Sequence, residues 1–498
     1  MKAAVERGRE WRDRADCLLA RRGAQGALLA LVAALYVVAY FVDPLNPGSA
    51  PAAAREGWWS WADQTKYYES ALALAHGRID RESYYYPLGY PALGALFVRA
   101  MPVHPFFWPD MALTLGAAVL AWKLARRWFG ALATVLIGVG FVATHAALLR
   151  LTMVIPWNTL PVQVALLGGI WLVLTRRDGQ ALGGLALVAA FTYFTRPSDA
   201  ACFGPLLVFA TLRLPTWRAR LGWGTLGVAV VAASVAAVAW INWRTFGQWR
   251  TPYEEGTFAN IGFFSYPVSH KLYSLFIDGE TFFGEYGTAL LWRYPWLFLA
   301  IPGAVFWICR DGWAAVACLA TITLNLALYV NYNDFVPSSL YRFSLIHYIS
   351  WAFVPLAIAA AAAVTLGWRD REVRGAAWAM VGIFVLAVGL KLKERPLRTE
   401  VASAEVRELP AARPLWVKFP GEKIEVAKTL RIDGRQLREG ADYQIPYVPA
   451  DLRVMLSEVA TGRRLAPAEH QVLQATPEVG DYVWSWWPRW RRLWPPRN

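Results

Sequence analysis

Charge-poor apolar runs of membrane-crossing length recur along this chain. The first covers 24–42, and others centre near residues 117, 140, 165, 187, 207, 232, 299, 322, 356 and 383. A helix needs about 20 consecutive apolar residues to cross a bilayer core, so the pattern predicts an α-helical polytopic membrane protein of roughly eleven spans. Composition agrees, with 56% of the 498 residues hydrophobic and 17% charged. Soluble chains average about 45–50% apolar and about 25% charged. The 27 tryptophans and 21 tyrosines suit a chain that meets lipid–water boundaries, where such rings gather. A large soluble enzyme with an apolar core would not repeat uninterrupted runs of this length.

The basic residues orient the spans. Lys123, Arg126 and Arg127, then Arg176 and Arg177, then Arg213, Arg218 and Arg220, then Arg310, then Arg369, Arg371 and Arg374 all occupy turns on one side of an alternating path. A cytoplasmic N-terminus places every one of them inside, the expected bias for positive charge. Residues 1–23, with Trp11, Leu18 and Leu19 among arginines, read as a cytoplasmic amphipathic N-terminus lying on the membrane surface. A signal peptide competes for the first span, because Ser49-Ala50-Pro51-Ala52-Ala53-Ala54 resembles a cleavage site. The length of the run favours an uncleaved anchor. The net charge of +14 would suggest nucleic acid on a soluble chain. Here the basic residues flank apolar runs, so the expected partner is membrane lipid and not nucleic acid. Cys17, Cys202, Cys309 and Cys318 form no paired motif and imply neither a disulfide framework nor a metal site.

This path makes 24–392 a transmembrane domain with outer loops at 43–106, 244–286 and 331–347, and leaves 393–498 outside. The outer tail reads as a small β-rich extracytoplasmic domain, with a hairpin over Leu430–Arg435 that turns at Asp433-Gly434. It ends in a Trp/Arg-rich tail, which suits the membrane interface; a disordered terminus or a partner contact is the other reading. Loop 244–286 carries Tyr253, Glu254, Glu255, His270, Asp278 and Glu285, a mixture that fits an acceptor headgroup or a solvated connector equally well.

Chemistry concentrates in the first outer loop. Asp63, Lys66, Tyr67 and Ser70 share one face if 61–75 is helical, offering a base, a cation and hydroxyls to one cleft. The bland alternative is an interfacial helix anchored by its aromatics and capped by Asp63. The loop has the form Asp63-Gln64-x-x-Tyr67-Tyr68-x-x-Ala71-x-x-Leu74, then Gly77, then Tyr86-Pro87-x-Gly89-Tyr90-Pro91. This resembles the GT-C superfamily of integral membrane glycosyltransferases. It is similar to the bacterial branch related to protein mannosyltransferases and the aminoarabinose transferase of lipid A. Thr195-Arg196-Pro197 at the outer end of a span is similar to an Arg-Pro seen in many of these proteins.

The resemblance implies transfer of a sugar from a polyprenyl-phosphate donor to an extracytoplasmic lipid, glycan or protein acceptor, in a bacterial inner (plasma) membrane and usually with inversion. Asp63 matches the position of the general base, which takes the acceptor's proton. The leaving phosphate needs fixed positive charge, for which Arg196, Arg342 and Lys66 are the outward candidates, with Arg150 and Arg293 behind them. Arg196 also has a structural reading, an ion pair with nearby Asp199. Tyr67, Tyr68, Tyr86, Tyr90, Arg150, Tyr341 and His347 are the expected substrate contacts, although a histidine at a span's end is often structural. Some relatives carry a second acid in the next outer loop, and Leu149–Asn158 has none. That puts a two-carboxylate or metal arrangement in doubt and leaves a divalent cation as an open expectation. Two other functions compete. A transporter or flippase of lipid-linked sugars predicts ionisable groups deep in several spans, and a non-catalytic scaffold predicts outer polar residues that share no cleft.

Overall fold

The computed structural model describes residues 2–41, 62–256, 290–332 and 347–365, a few isolated positions between 268 and 277 and at 375, and strand segments between 402 and 477. Two compact units make up the chain. One comprises Met1–Glu255, Trp296–Leu326 and Ile346–Trp378; the other comprises Gly256–Pro295, Ala327–Leu345 and Ala379–Asn498.

The helices of the chain are α1 (Lys2–Ala20), α2 (Arg22–Phe41), α3 (Ala62–Ala75), α4 (Gly89–Ala95), α5 (Phe107–Arg126), α6 (Ala131–Leu149), α7 (Thr159–Thr175), α8 (Gly179–Thr195), α9 (Pro197–Ala200), α10 (Gly204–Leu212), α11 (Trp217–Phe246), α12 (Pro252–Gly256), α13 (Leu290–Arg293), α14 (Leu297–Asp311), α15 (Trp313–Asn331) and α16 (Phe353–Thr365). Three of them, α2, α11 and α15, are long and apolar enough to cross a membrane. Exposure supports that reading: α2 leaves Leu31, Leu35 and Val38 bare, and α11 leaves Leu226, Val228 and Trp240 bare. Such continuous apolar faces suit lipid and would be a liability in water.

The first unit has two functionally distinct ends. At one end the basic turns meet. Arg127 pairs with Asp311 at 3.0 Å and donates to the Leu174 carbonyl, while Arg310 donates to the Arg127 carbonyl and Arg213 to that of Val173. Asp16 of α1 accepts from the Leu132 N–H at 2.6 Å, capping the N-terminus of α6 from another helix. These are the turns expected on the cytoplasmic side, and they gather together. At the opposite end lie the start of α5, the start of α7 and the end of α8, around an aromatic cluster of Tyr36, Tyr40, Tyr67, Tyr86, Tyr90, Phe106, Phe107 and Trp157. A separate, larger apolar cluster built on α5, α7, α8, α14, α15 and α16, with Phe203, Trp307 and Trp351 among its aliphatic side chains, fills the rest of the core.

In the second unit, described strands pair antiparallel in two sheets, ordered β1-β7-β3-β4 and β2-β6-β5. They are β1 (Ala402–Val406), β2 (Leu415–Lys418), β3 (Ala427–Ile432), β4 (Arg435–Gln436), β5 (Tyr443–Gln444), β6 (Arg453–Leu456) and β7 (Gln471–Pro477). Ile432 stands opposite Arg435, the register that a two-residue hairpin loop produces.

Candidate functional site

The site grows from a helix stop. Pro197 cannot continue α8, and the residue before a proline is forced out of the helical region. Arg196 accordingly adopts an extended backbone (φ −157°, ψ 90°) between α8 and α9. Its guanidinium is held on several sides. Nε meets Asp199 Oδ2 at 2.5 Å, Nη1 donates to Asn158 Oδ1 at 2.9 Å, and the plane lies 4.4 Å over the Tyr348 ring. The structural ion pair with Asp199 therefore exists, and it coexists with a position at the mouth of the aromatic cluster.

The first outer loop comes to this arginine through a close approach. A Cβ on Gly89 would stand 2.8 Å from the Phe194 carbonyl oxygen and 2.5 Å from Thr195 Oγ1. Only glycine lets the Tyr86–Pro91 segment lie against the end of α8 this tightly. On the same segment Tyr86 donates its hydroxyl to Asp63 Oδ1 at 2.5 Å. Asp63 opens α3, whose far end is closed by Gly77 at φ +71° with Gly77 N bonded to Leu74 O and Arg78 N to Ala73 O. Burial raises the Asp63 carboxyl above its usual range, opposed by the Tyr86 hydrogen bond and the charge of Arg196. A carboxylate poised higher than usual is a better base near neutral pH, and this one keeps a partly accessible edge.

The other expected residues divide. Tyr67 is fully buried, its ring 4.9 Å from that of Tyr86 and 5.1 Å from that of Tyr90. Tyr90 is fully buried, stacks on Phe106 and donates to Asp110 Oδ2 at 2.8 Å. Tyr68 donates to the Pro102 carbonyl at 2.9 Å. Lys66 shares the face of Asp63 in sequence, but it pairs with Glu69 at 2.7 Å on a half-exposed surface. His347 is buried with its ring stacked on Trp157, centroids 4.4 Å apart and nearly parallel. Burial, with the Arg196 charge second, lowers its pKa well below the usual histidine value, so the ring is neutral. Its Nδ1 is buried without a hydrogen-bond partner among the described residues. Arg150 opens a π-turn over Arg150–Val154, and its side chain, like that of Arg293, lies outside the described residues, as do Tyr341 and Arg342.

No family model, curated protein or solved structure matches the chain. The site therefore stands on its own geometry: a carboxyl group, a guanidinium and a neutral imidazole within one aromatic end of one unit. Among the described residues, no group of three His, Cys, Asp or Glu side chains is placed to hold a metal. Sequence reasoning missed three contributors. Tyr253 packs on Tyr86 with ring centroids 4.5 Å apart. Asn158, at the end of the Leu149–Asn158 loop, accepts from Arg196. Asn325, a lone amide in an apolar run, reaches Asp199. An isolated polar residue inside a span is the signal that could have found the last of these.

Proposed function

We propose that this chain is a membrane glycosyltransferase that moves a sugar from a polyprenyl-phosphate donor to an extracytoplasmic acceptor. In this reading the acceptor hydroxyl attacks the anomeric carbon and Asp63 takes its proton as the new C–O bond forms. The bond from the anomeric carbon to the phosphate oxygen breaks with its electron pair on that oxygen, and Arg196 stabilises the resulting polyprenyl phosphate. Arg342 is the second expected cation. The observation that carries the reading is that the Tyr86–Pro91 segment both donates to Asp63 and lies against the end of α8 beside Arg196, close enough for the arginine charge to act on the carboxyl. A scaffold has no need to hold an acid of raised pKa beside a guanidinium at a partly accessible edge.

The reading includes about eleven spans, an N-terminus in the cytoplasm of a bacterial cell, and a small β-rich domain outside the inner membrane. The gathering of basic turns at the end opposite Asp63 supports that orientation. The test compares wild type with Asp63→Asn in membranes supplied with polyprenyl-phosphate sugars and acceptor extract, scoring sugar released from lipid. Turnover that disappears in the folded variant supports both transferase and base. Equal turnover in the two removes Asp63 from the mechanism, and no turnover with any donor turns attention to transport.

A further inference from the structure

Arg196 is anchored by a relay that runs away from the opening into the body of the unit. Asp199 is almost completely buried, with Oδ2 on Arg196 Nε and Oδ1 accepting from Asn325 Nδ2 at 3.0 Å. Asn325 Oδ1 in turn accepts from Trp351 Nε1 at 3.0 Å, and both of these residues are buried. The indole N–H can only donate. It therefore sets the Asn325 amide with its oxygen toward Trp351 and its NH₂ toward Asp199. That orientation gives the second carboxylate oxygen a donor and leaves the first to Arg196. Four residues from three segments form one polarity-defined chain, in which every link has a single workable direction. Asn325 lies within α15, a helix apolar enough to cross a membrane, where a polar side chain is costly unless it is fully partnered.

We infer that Asn325, set by Trp351 and acting through Asp199, is a positioning residue that fixes the Arg196 guanidinium for the departing phosphate. This rests on the transferase reading. The fork of an arginine binds phosphate well only when its plane is aimed, and a misplacement of about 1 Å can cost about a hundredfold in rate. Asn158 and the Tyr348 ring hold the guanidinium on its other sides, and an Asp199 carboxylate that could itself turn would leave the Nε side unfixed. With Asn325 and Trp351 behind it, the carboxylate itself is locked.

The chain can be rewritten without losing any of these three hydrogen bonds. Asp199→Asn alone sets two donors against each other at the link to Asn325, and Asn325→Asp alone sets two carboxylates face to face. The double exchange, Asp199→Asn with Asn325→Asp, restores a donor opposite each acceptor and keeps Trp351 and Arg196 partnered. The experiment uses the full-length protein in membranes and measures turnover of polyprenyl-phosphate sugars, binding of polyprenyl monophosphate in mixed micelles, and thermal stability. Each single variant is expected to lose about tenfold to a hundredfold in kcat per folded molecule, with the double exchange returning to within a few-fold of wild type. In an Arg196→Ala background, Asn325→Asp is expected to cause no further loss, because the two act as one unit. Folded single variants that turn over like wild type overturn the inference, as does an unchanged penalty for Asn325→Asp once Arg196 is gone. Should the exchanges fail to fold, Trp351→Phe removes only the donor that sets the amide; a normal kcat in that variant overturns the inference equally. Wild type that neither binds polyprenyl monophosphate nor turns over any donor removes the transferase reading itself, an outcome distinct from active wild type with indifferent variants.

Discussion

The Tyr86 hydroxyl donates to Asp63 Oδ1 at 2.5 Å, joining residues 23 apart across the first outer loop. That bond favours the charged carboxylate and works against burial. Deprotonated Asp63 is the active base in the proposed mechanism, so turnover rises with pH through its pKa. Tyr86→Phe removes a contribution that lowers this pKa, and the acidic limb of the pH–kcat/KM profile is expected to move to higher pH. An unmoved limb would separate Asp63 from the titration that controls rate.

Arg196→Lys keeps the charge but loses the planar fork that reaches Asp199 and Asn158 together. Its kcat is expected to fall about a hundredfold, in the range seen when one fixed donor to a developing anion is lost. Arg196→Ala is expected to destabilise the chain as well, by about 3–5 kcal/mol, since it leaves Asp199 buried and uncompensated. Single-turnover kinetics and thermal unfolding of both variants check the two statements separately.

His347 is neutral in the folded state because burial lowers its pKa, so only the unfolded chain binds its proton below about pH 6.5. Stability contributed by this residue is complete above that value and falls with acidification toward the lowered folded value. The slope is about 1.4 kcal/mol per pH unit while one proton separates the states. His347→Phe retains a ring against Trp157, and it is expected to flatten the unfolding-versus-pH curve below about pH 6.5. A curve of unchanged slope would assign the acid sensitivity to other groups.

Asp110 is fully buried, receives the Tyr90 hydroxyl on Oδ2, and has no partner on Oδ1 among the described residues. Asp110→Asn keeps an acceptor for Tyr90 and is expected to be nearly neutral in stability and turnover. Asp110→Ala orphans the hydroxyl and is expected to cost about 1–3 kcal/mol. Equal stability of the two variants in a thermal-unfolding comparison would show that the hydrogen bond contributes nothing.

Much of the site was readable where the cause is local. The extended backbone of Arg196 follows from the proline after it, and the limits of α3 follow from Asp63 at its start and Gly77 past its end. The gathering of the basic turns at one end follows from charge bias along the chain. What was not readable depends on partners distant in sequence. Asn325 meets Asp199 across 126 residues and Gln163 meets Ser350 across 187, separations that no helical period encodes. Lys66 shows the opposite failure. Its spacing from Asp63 is right for a shared face, yet Glu69 three residues on is a nearer and less costly partner than any in the cleft. Tyr90 matched the motif and still points inward, because only Asp110 could satisfy its hydroxyl there.

Gly89 carries no charge and touches no substrate in any scheme above, yet the missing methyl group on it sets how far the base stands from the cation. Alanine there would push the Tyr86–Pro91 segment off the end of α8 by somewhat less than about 1 Å, at a strain of about 1–3 kcal/mol. The gap between acid and guanidinium would widen without either being altered. Search strategies that vary only titratable positions to retune this protein would overlook its simplest adjustment, a spacer dimension stored in a backbone contact.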